Sequence, residues 1–140
     1  MTKKQVFVFD LDGTLCKHVD RNAFQEDLVY TDQPIEPVVK VLKALAAKFK
    51  IVFLSGRTDG CREHTQLWIE HNLGVKNPEL YMRKTGDFRK DAVIKEEIYD
   101  RVILPKYDVV GVFDDRLQVC RMLYEKGLFV FNVNQGLIEF

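Results

Sequence analysis

The 140-residue sequence lacks any apolar run long enough to cross a membrane, and no apolar stretch near its start would suit a signal peptide. Its three cysteines, Cys16, Cys61 and Cys120, are odd in number and include no CxxC pair. That pattern argues against a disulfide framework and against a structural zinc site. Buried thiols in a reducing compartment suit it best, so we expect a cytoplasmic protein.

The sequence also lacks a net charge, because 21 basic residues balance 21 acidic ones. Proteins that wrap duplex nucleic acid non-specifically usually carry a basic excess, although a balanced charge still permits a small site for a nucleic-acid end. No GxxxxGK[ST] motif is present, so the chain contains no nucleotide-binding kinase module of that type. We find no repeat, linker or low-complexity segment and predict one domain over residues 1–140.

Short apolar runs alternate with helical patterns along the chain. The predicted strands are residues 5–9, 50–54, 79–82, 109–113 and 128–133. Four helices are predicted. Pro34 and Pro37 open the first, and the second covers residues 61–72. The third runs from residue 88 to about 104 with Asp87 as its cap, and the fourth covers residues 117–126. Residues 11–33 are predicted to be a loop with a short helix near 24–29. This alternation predicts an α/β fold, a three-layer α/β/α sandwich around a parallel Rossmann-like sheet.

Acidic residues follow two of the predicted strands. Asp10 and Asp12 leave the first strand two positions apart, and Asp114 and Asp115 follow the fourth. In parallel sheets the ligand sits outside the carboxyl ends of the strands, so all four carboxylates should share one crevice. Carboxylates crowded there repel one another unless a cation is bound, and Mg²⁺ suits an oxygen site that also holds phosphate. Taken alone, the second acidic pair could instead cap a helix.

Groups that could bind phosphate accompany the acids. Thr14 lies in the same motif as Asp10, and Ser55-Gly56-Arg57 follows the second predicted strand. Lys95 lies on a helix that should approach the same edge, four residues after Asp91. The pair could serve the site or could be a solvated ion pair on the surface. His18, His64 and His71 have no convincing metal-ligand spacing and are predicted to be surface or packing residues.

The ordered set of DLDGTL, a serine after the second strand, a downstream lysine and a DD pair resembles the four motifs of the haloacid dehalogenase superfamily. The resemblance implies that Asp10 attacks phosphorus to form an aspartyl-phosphate, and that Asp12 is the general acid and base. It also implies that Mg²⁺ is held by Asp10, the backbone carbonyl of Asp12, Asp114 and Asp115. Ser55 and Lys95 would bind the transferring phosphoryl group.

A narrower resemblance is carried by SGR, by RKDAVIKEEI (residues 89–98) and by VFDDR (residues 112–116). These segments look like the 3′-phosphatase domain of bacteriophage polynucleotide kinase-phosphatase. That family's functional residues fall here on Arg21, Arg57, Asp91 and Lys95. The resemblance implies that the chain removes phosphate from DNA or RNA 3′ ends. Because the GxxxxGK[ST] motif is missing, we expect any kinase or ligase to act from another chain.

The gaps between the motifs leave room for little or no cap domain, so we expect an open site that admits the end of a macromolecule. Two alternatives stay open from the sequence. One is a phosphatase of the same superfamily that acts on small phosphate esters or nucleotides. The other is a non-catalytic binding module that has kept the fold.

Overall fold

The computed structural model describes residues 2–140 and contains a five-stranded sheet in which every neighbouring pair of strands is parallel. The strands are β1 (Lys4–Phe9), β4 (Lys50–Thr58), β5 (Glu79–Arg83), β6 (Tyr107–Asp114) and β7 (Val130–Asn132). Their order in the sheet is β5-β4-β1-β6-β7. A two-stranded antiparallel ribbon is formed by β2 (Cys16–Lys17) and β3 (Gln33–Pro34).

Helices cover both faces of the sheet. They are α1 (Glu36–Ala46), α2 (Arg62–Leu73), α3 (Asp91–Ile98), α4 (Leu104–Lys106) and α5 (Leu117–Glu125), with a π-helical turn (Tyr99–Ile103) joining α3 to α4. Alternate side chains of β1 point to opposite faces. Phe7 and Phe9 belong to the core that includes buried residues of α1 and α2. Val6 and Val8 belong to the core that contains Tyr99, at the start of the π-helical turn, and buried residues of α5. The predicted α/β/α sandwich is therefore confirmed.

Several predicted boundaries were wrong. The strand predicted over residues 50–54 is β4, which continues through Thr58. Ser55-Gly56-Arg57 therefore lies within the strand instead of following it. The helix predicted from residue 88 begins at Asp91. Asp87 does not cap it, because the Asp87 carboxylate accepts hydrogen bonds from Arg89 at 3.0 and 2.8 Å. The same helical segment passes its predicted end and continues to Lys106.

The segment between β1 and α1 holds the ribbon and a 3-10 helix (Glu26–Thr31) where a loop with a short helix was predicted. The segment between β4 and α3 is filled by α2 and β5, which belong to the core layers. Within residues 2–140 no separate cap domain is inserted at either place. In the same part of the chain, none of the helices has the length and apolar character needed to span a membrane.

Candidate active site

Three carboxylates meet at the carboxyl ends of β1 and β6. One side-chain oxygen from each of Asp10, Asp114 and Asp115 can be chosen so that the three atoms lie within 4.8 Å of one another. The Lys95 Nζ atom donates to Asp10 Oδ1 and to Asp114 Oδ2, at 2.9 Å in each case. The Thr14 hydroxyl lies 3.1 Å from Asp10 Oδ2 and 3.2 Å from Asp115 Oδ1. The structure thus brings together the strand ends that the sequence places more than a hundred residues apart.

The electrostatics of this cluster favour a bound cation. Burial, followed by repulsion from Asp114, raises the pKa of Asp10 well above its ordinary value. Burial also raises the pKa of Asp115. Although burial opposes it, the negative charges of Asp10 and Asp114 raise the pKa of Lys95, which stays an ammonium. One ammonium facing three carboxylates leaves an excess of negative charge, and an all-oxygen donor set of this kind fits Mg²⁺.

Asp12 occupies a different part of the site. Its side chain is 32% exposed, whereas that of Asp10 is 8% exposed. Arg57 donates to Asp12 from Nη2 at 2.7 Å and from Nε at 3.0 Å, and His18 Nε2 lies 2.9 Å from Asp12 Oδ1. Burial would raise the pKa of Asp12, but the hydrogen bonds from His18 and Arg57 outweigh it and lower that pKa.

A fifth carboxylate, Asp32, joins the two arginines and was not found from the sequence. It is buried just before β3 and accepts from Arg21 Nε and Nη2, both at 2.9 Å, and from Arg57 Nη2 at 2.6 Å. Arg21 is buried as well, and its Nη2 lies 3.5 Å from Asp12 Oδ1. The Cys16 Sγ atom completes the cluster, 3.4 Å from Arg57 Nη2.

The Ser55-Gly56-Arg57 segment is held by close packing. The Arg57 amide donates to Ser55 Oγ at 3.1 Å. A Cβ atom on Gly56 would collide with the Asp91 carboxylate, so any other residue there would displace that carboxylate. Arg83 secures the same contact, because its Nε donates to the Gly56 carbonyl at 2.9 Å and its Nη2 to Asp91 Oδ1 at 2.8 Å.

Asp91 and Lys95 both lie at the site, and the alternative of a solvated surface pair is wrong. The Lys95 side chain is only 2% exposed, and the Asp91 side chain is 14% exposed. Asp91 pairs with Arg83 and, at 3.1 Å, with Arg116. Burial opposes it, but the charges of Lys95 and Arg116 lower the pKa of Asp91.

The second acidic pair does not cap the helix that follows, because the start of α5 has no side-chain cap hydrogen bond. Asp114 Oδ1 accepts from the amide of Arg116, the residue before α5, at 3.0 Å. The same carboxylate pairs with Lys95 through Oδ2. Asp114 therefore orders the turn before α5 and contributes to the site at once.

Four residues of the site were missed from the sequence or were given another role there. His18 was predicted to be a surface or packing residue, and the contact of its ring with Asp12 was not foreseen. Asp32 and Arg116 were assigned no role, and the contacts of Arg83 with Gly56 and Asp91 were not predicted. Arg116 could have been found because it completes the VFDDR segment. The contacts of His18 and Asp32 depend on a ribbon whose two strands have two residues each, and those of Arg83 depend on a loop. Such short or irregular segments leave no periodic pattern in the sequence.

Comparisons with known proteins agree with this geometry. Residues 4–138 match the model of the family described as the polynucleotide kinase PNKP phosphatase domain. A protein of Autographa californica nuclear polyhedrosis virus named "Putative bifunctional polynucleotide kinase/RNA ligase" is 37% identical over 135 residues. That alignment covers 94% of this chain but only 20% of the viral protein.

Solved structures give the same result. A chain in the structure of the Pnkp1/Rnl/Hen1 RNA repair complex superposes with a TM-score of 0.86 and 34% identity. The match covers 94% of this chain and 42% of that one, so this chain spans less than half the length of that neighbour. The class C acid phosphatase from Bacillus anthracis shares the fold, with a TM-score of 0.68 at 13% identity. Because the family model matches nearly the whole sequence, the chain belongs to the polynucleotide kinase PNKP phosphatase domain family, a haloacid dehalogenase-type phosphatase family.

Proposed function

We propose that the chain removes phosphate from the 3′ ends of DNA or RNA by a Mg²⁺-dependent reaction through an aspartyl-phosphate on Asp10. The observation that carries the proposal is the cluster at the carboxyl ends of β1 and β6, where Asp10 lies between Lys95 and Thr14 with Asp114 and Asp115 beside it. Family membership supports the polynucleotide substrate. The names of the similar proteins, which mention RNA repair and RNA ligase, support RNA ends in particular.

Two carboxylates take part in the first step, one as the nucleophile and one as the proton donor. An oxygen of Asp10 attacks phosphorus, and the bond from phosphorus to the 3′ oxygen breaks. Asp12, the more exposed of the two, takes up a proton before this step and gives it to the departing oxygen. In the second step a water molecule attacks phosphorus, the bond to Asp10 breaks, and Asp12 accepts the proton of the water. Phosphate and a 3′-hydroxyl are the products.

The remaining groups bind and orient. Lys95, buried against Asp10, supplies positive charge next to the attacked phosphoryl group. Thr14, Ser55 and Gly56 line the neighbouring strand ends, and Arg21 and Arg57 bring two guanidinium groups to the side of Asp12. Mg²⁺ would be held by Asp10, the Asp12 backbone carbonyl, Asp114 and Asp115, where it offsets the charge of the phosphoryl group.

The open architecture supports a macromolecular substrate. The ribbon and the 3-10 helix are the only elements between β1 and α1, and residues 2–140 contain no cap domain that would enclose a small metabolite. We also propose that residues 1–140 act as one phosphatase domain. A kinase or ligase acting on the same ends would then lie outside residues 1–140.

The test is phosphate release from matched RNA and DNA oligonucleotides that carry the phosphate at the 3′ or the 5′ end, with Mg²⁺ or with a chelator. We expect rapid, metal-dependent release from the 3′ end alone. Equal release from both ends, or release only from nucleotides and small esters, would overturn the polynucleotide assignment and favour a small-ester phosphatase.

The nucleophile is tested by Asp10→Asn, which keeps the shape of the side chain. We expect turnover to fall to background because an amide cannot form the acyl-phosphate, whereas Asp108→Asn, an exposed change on β6, should keep full activity. Turnover by Asp10→Asn at the wild-type rate would contradict the covalent mechanism. A folded wild-type protein that binds 3′-phosphorylated ends without releasing phosphate would instead indicate a binding module.

A further inference from the structure

Two side chains at the β2–β3 ribbon contact Asp12. Cys16 lies in β2 and His18 directly follows it, while Lys17 between them is exposed. Cys16 Sγ lies 3.7 Å and His18 Nε2 2.9 Å from the same atom, Asp12 Oδ1. The side chain of His18 is 24% exposed.

The short contact fits a hydrogen bond donated by His18. Asp12 Oδ1 accepts from the Nε2–H tautomer of His18 both when Asp12 is a carboxylate and when its acid proton is on Oδ2. Arg57, which also donates to Asp12, is held by Asp32, whose side chain is fully buried.

The two oxygens of Asp12 are occupied unequally. Oδ1 lies 2.7 Å from Arg57 Nη2, 2.9 Å from His18 Nε2 and 3.5 Å from Arg21 Nη2. Oδ2 accepts from Arg57 Nε alone, at 3.0 Å, among residues 2–140. The less occupied oxygen, Oδ2, is therefore the one free to exchange a proton with a substrate or a water molecule.

We propose that His18 is a positioning residue that holds Asp12 Oδ1, so that Oδ2 faces the reacting oxygen. The proposal rests on the proposed function, in which Asp12 is the general acid and base. His18 acts through Asp12 and does not bind the phosphoryl group. It therefore supports the step that needs a proton more than it supports substrate binding.

The same atoms are a poorer fit for a second metal ion. The oxygens of Asp12 and Asp32 and the sulfur of Cys16 lie close enough together to be ligands. However, Arg21 and Arg57 already pair with the two carboxylates and balance their charge. A cation placed there would face two guanidinium groups, so hydrogen bonding by His18 is the better account.

The test compares His18→Ala, His18→Gln and the control His71→Ala, which changes an exposed histidine at the far end of α2. Each is assayed on a 3′-phosphorylated oligonucleotide and on p-nitrophenyl phosphate, with the first step measured in single-turnover experiments with excess enzyme. The nitrophenolate ion departs without a proton, whereas the 3′ oxygen of a nucleotide requires one.

We expect His18→Ala to slow the first step about tenfold on the oligonucleotide, the effect of one hydrogen bond to a charged group, with KM nearly unchanged. On p-nitrophenyl phosphate the same variant should match the wild type. His18→Gln should restore most of the rate, because its amide can donate from a similar position. In an Asp12→Asn background, His18→Ala should cause no additional loss.

Two results would overturn the inference while leaving the proposed function intact. One is an equal loss on both substrates, which would indicate a contact with the phosphoryl group or a damaged fold. The other is a wild-type rate for His18→Ala on the oligonucleotide. A wild-type enzyme that is inactive on 3′-phosphorylated ends would instead overturn the proposed function, and that is seen before any variant is made.

Discussion

At the scale of single residues, Lys95 is the buried positive charge that pairs with two carboxylates of the site. Its side chain is buried between Asp10 and Asp114 and donates to both. A buried charge is tolerated only when it is paired, and removing one member leaves the other uncompensated. The same contact that would assist catalysis thus also stabilises the carboxyl ends of β1 and β6.

We predict that Lys95→Met, which keeps the length of the side chain, lowers the free energy of unfolding by about 3 kcal/mol at neutral pH. Phosphate release should fall at least about a hundredfold, because the charge next to the attacked phosphoryl group is lost. Urea unfolding with and without Mg²⁺ checks the first effect, and the cation should recover part of the lost stability. Lys40→Met, an exposed change on α1, is the control. Unchanged stability would contradict the electrostatic account.

At the scale of elements, the loop of residues 84–90 determines where α3 begins and therefore where Asp91 and Lys95 lie. Arg83 organises this loop from the end of β5. Its Nη1 donates to the carbonyls of Asp87 at 2.9 Å and Arg89 at 2.5 Å, while its other nitrogens reach Gly56 and Asp91. One guanidinium group thus connects β4, the loop and the first residue of α3.

We predict that Arg83→Gln increases amide hydrogen exchange in residues 84–90 and at the start of α3, because the four hydrogen bonds of this side chain are lost or weakened. Exchange in β1 should stay slow. Phosphate release should fall about tenfold or more as Asp91 and Lys95 lose their fixed position. Exchange followed by mass spectrometry measures the first effect. Arg101→Gln, an exposed change in the π-helical turn, should leave both readouts unchanged.

At the scale of the whole molecule, the two ends of the sheet have separate roles. The carboxyl ends hold the site, whereas Glu79, at the amino end of β5, joins neighbouring elements. Its carboxylate accepts from the hydroxyls of Tyr81 and Tyr107, at 2.6 Å in each case. Burial opposes it, but these hydrogen bonds and the nearby lysines lower the pKa of Glu79 below its ordinary value of 4.5.

A lowered pKa makes Glu79 stabilising above the pKa of the unfolded chain, and this stabilisation disappears as the pH falls through the folded value. We predict that Glu79→Gln lowers the free energy of unfolding by about 1 kcal/mol at pH 7. The difference from the wild type should shrink as the pH falls below about 4.5, the ordinary pKa of glutamate. Denaturant titrations at several pH values measure this. Phosphate release at pH 7 should be unaffected, and a loss of activity would show that the two ends of the sheet are coupled.

The sequence was informative wherever local chemistry repeats along the chain. The apolar runs ending at Asp10 and Asp114 identified two adjacent strands, and strand–helix alternation predicted the parallel sheet that the structure contains. The ends of helices were less predictable where another side chain occupies the group that was expected to cap the helix. Aspartate is a residue type that often caps helices, but the carboxylate of Asp87 accepts hydrogen bonds from Arg89. The helix therefore begins four residues later, at Asp91.

What the sequence determined by itself is the kind of chemistry, because the acids, the lysine and the SGR segment are each defined by residue type and by position at the end of an element. What only the tertiary structure decided is which of them touch. Asp32 pairs with both arginines, and His18 contacts Asp12. Both residues flank the short ribbon in which β2 pairs with β3. Such contacts join residues far apart in sequence through side-chain geometry alone, so no periodicity or spacing in the chain records them.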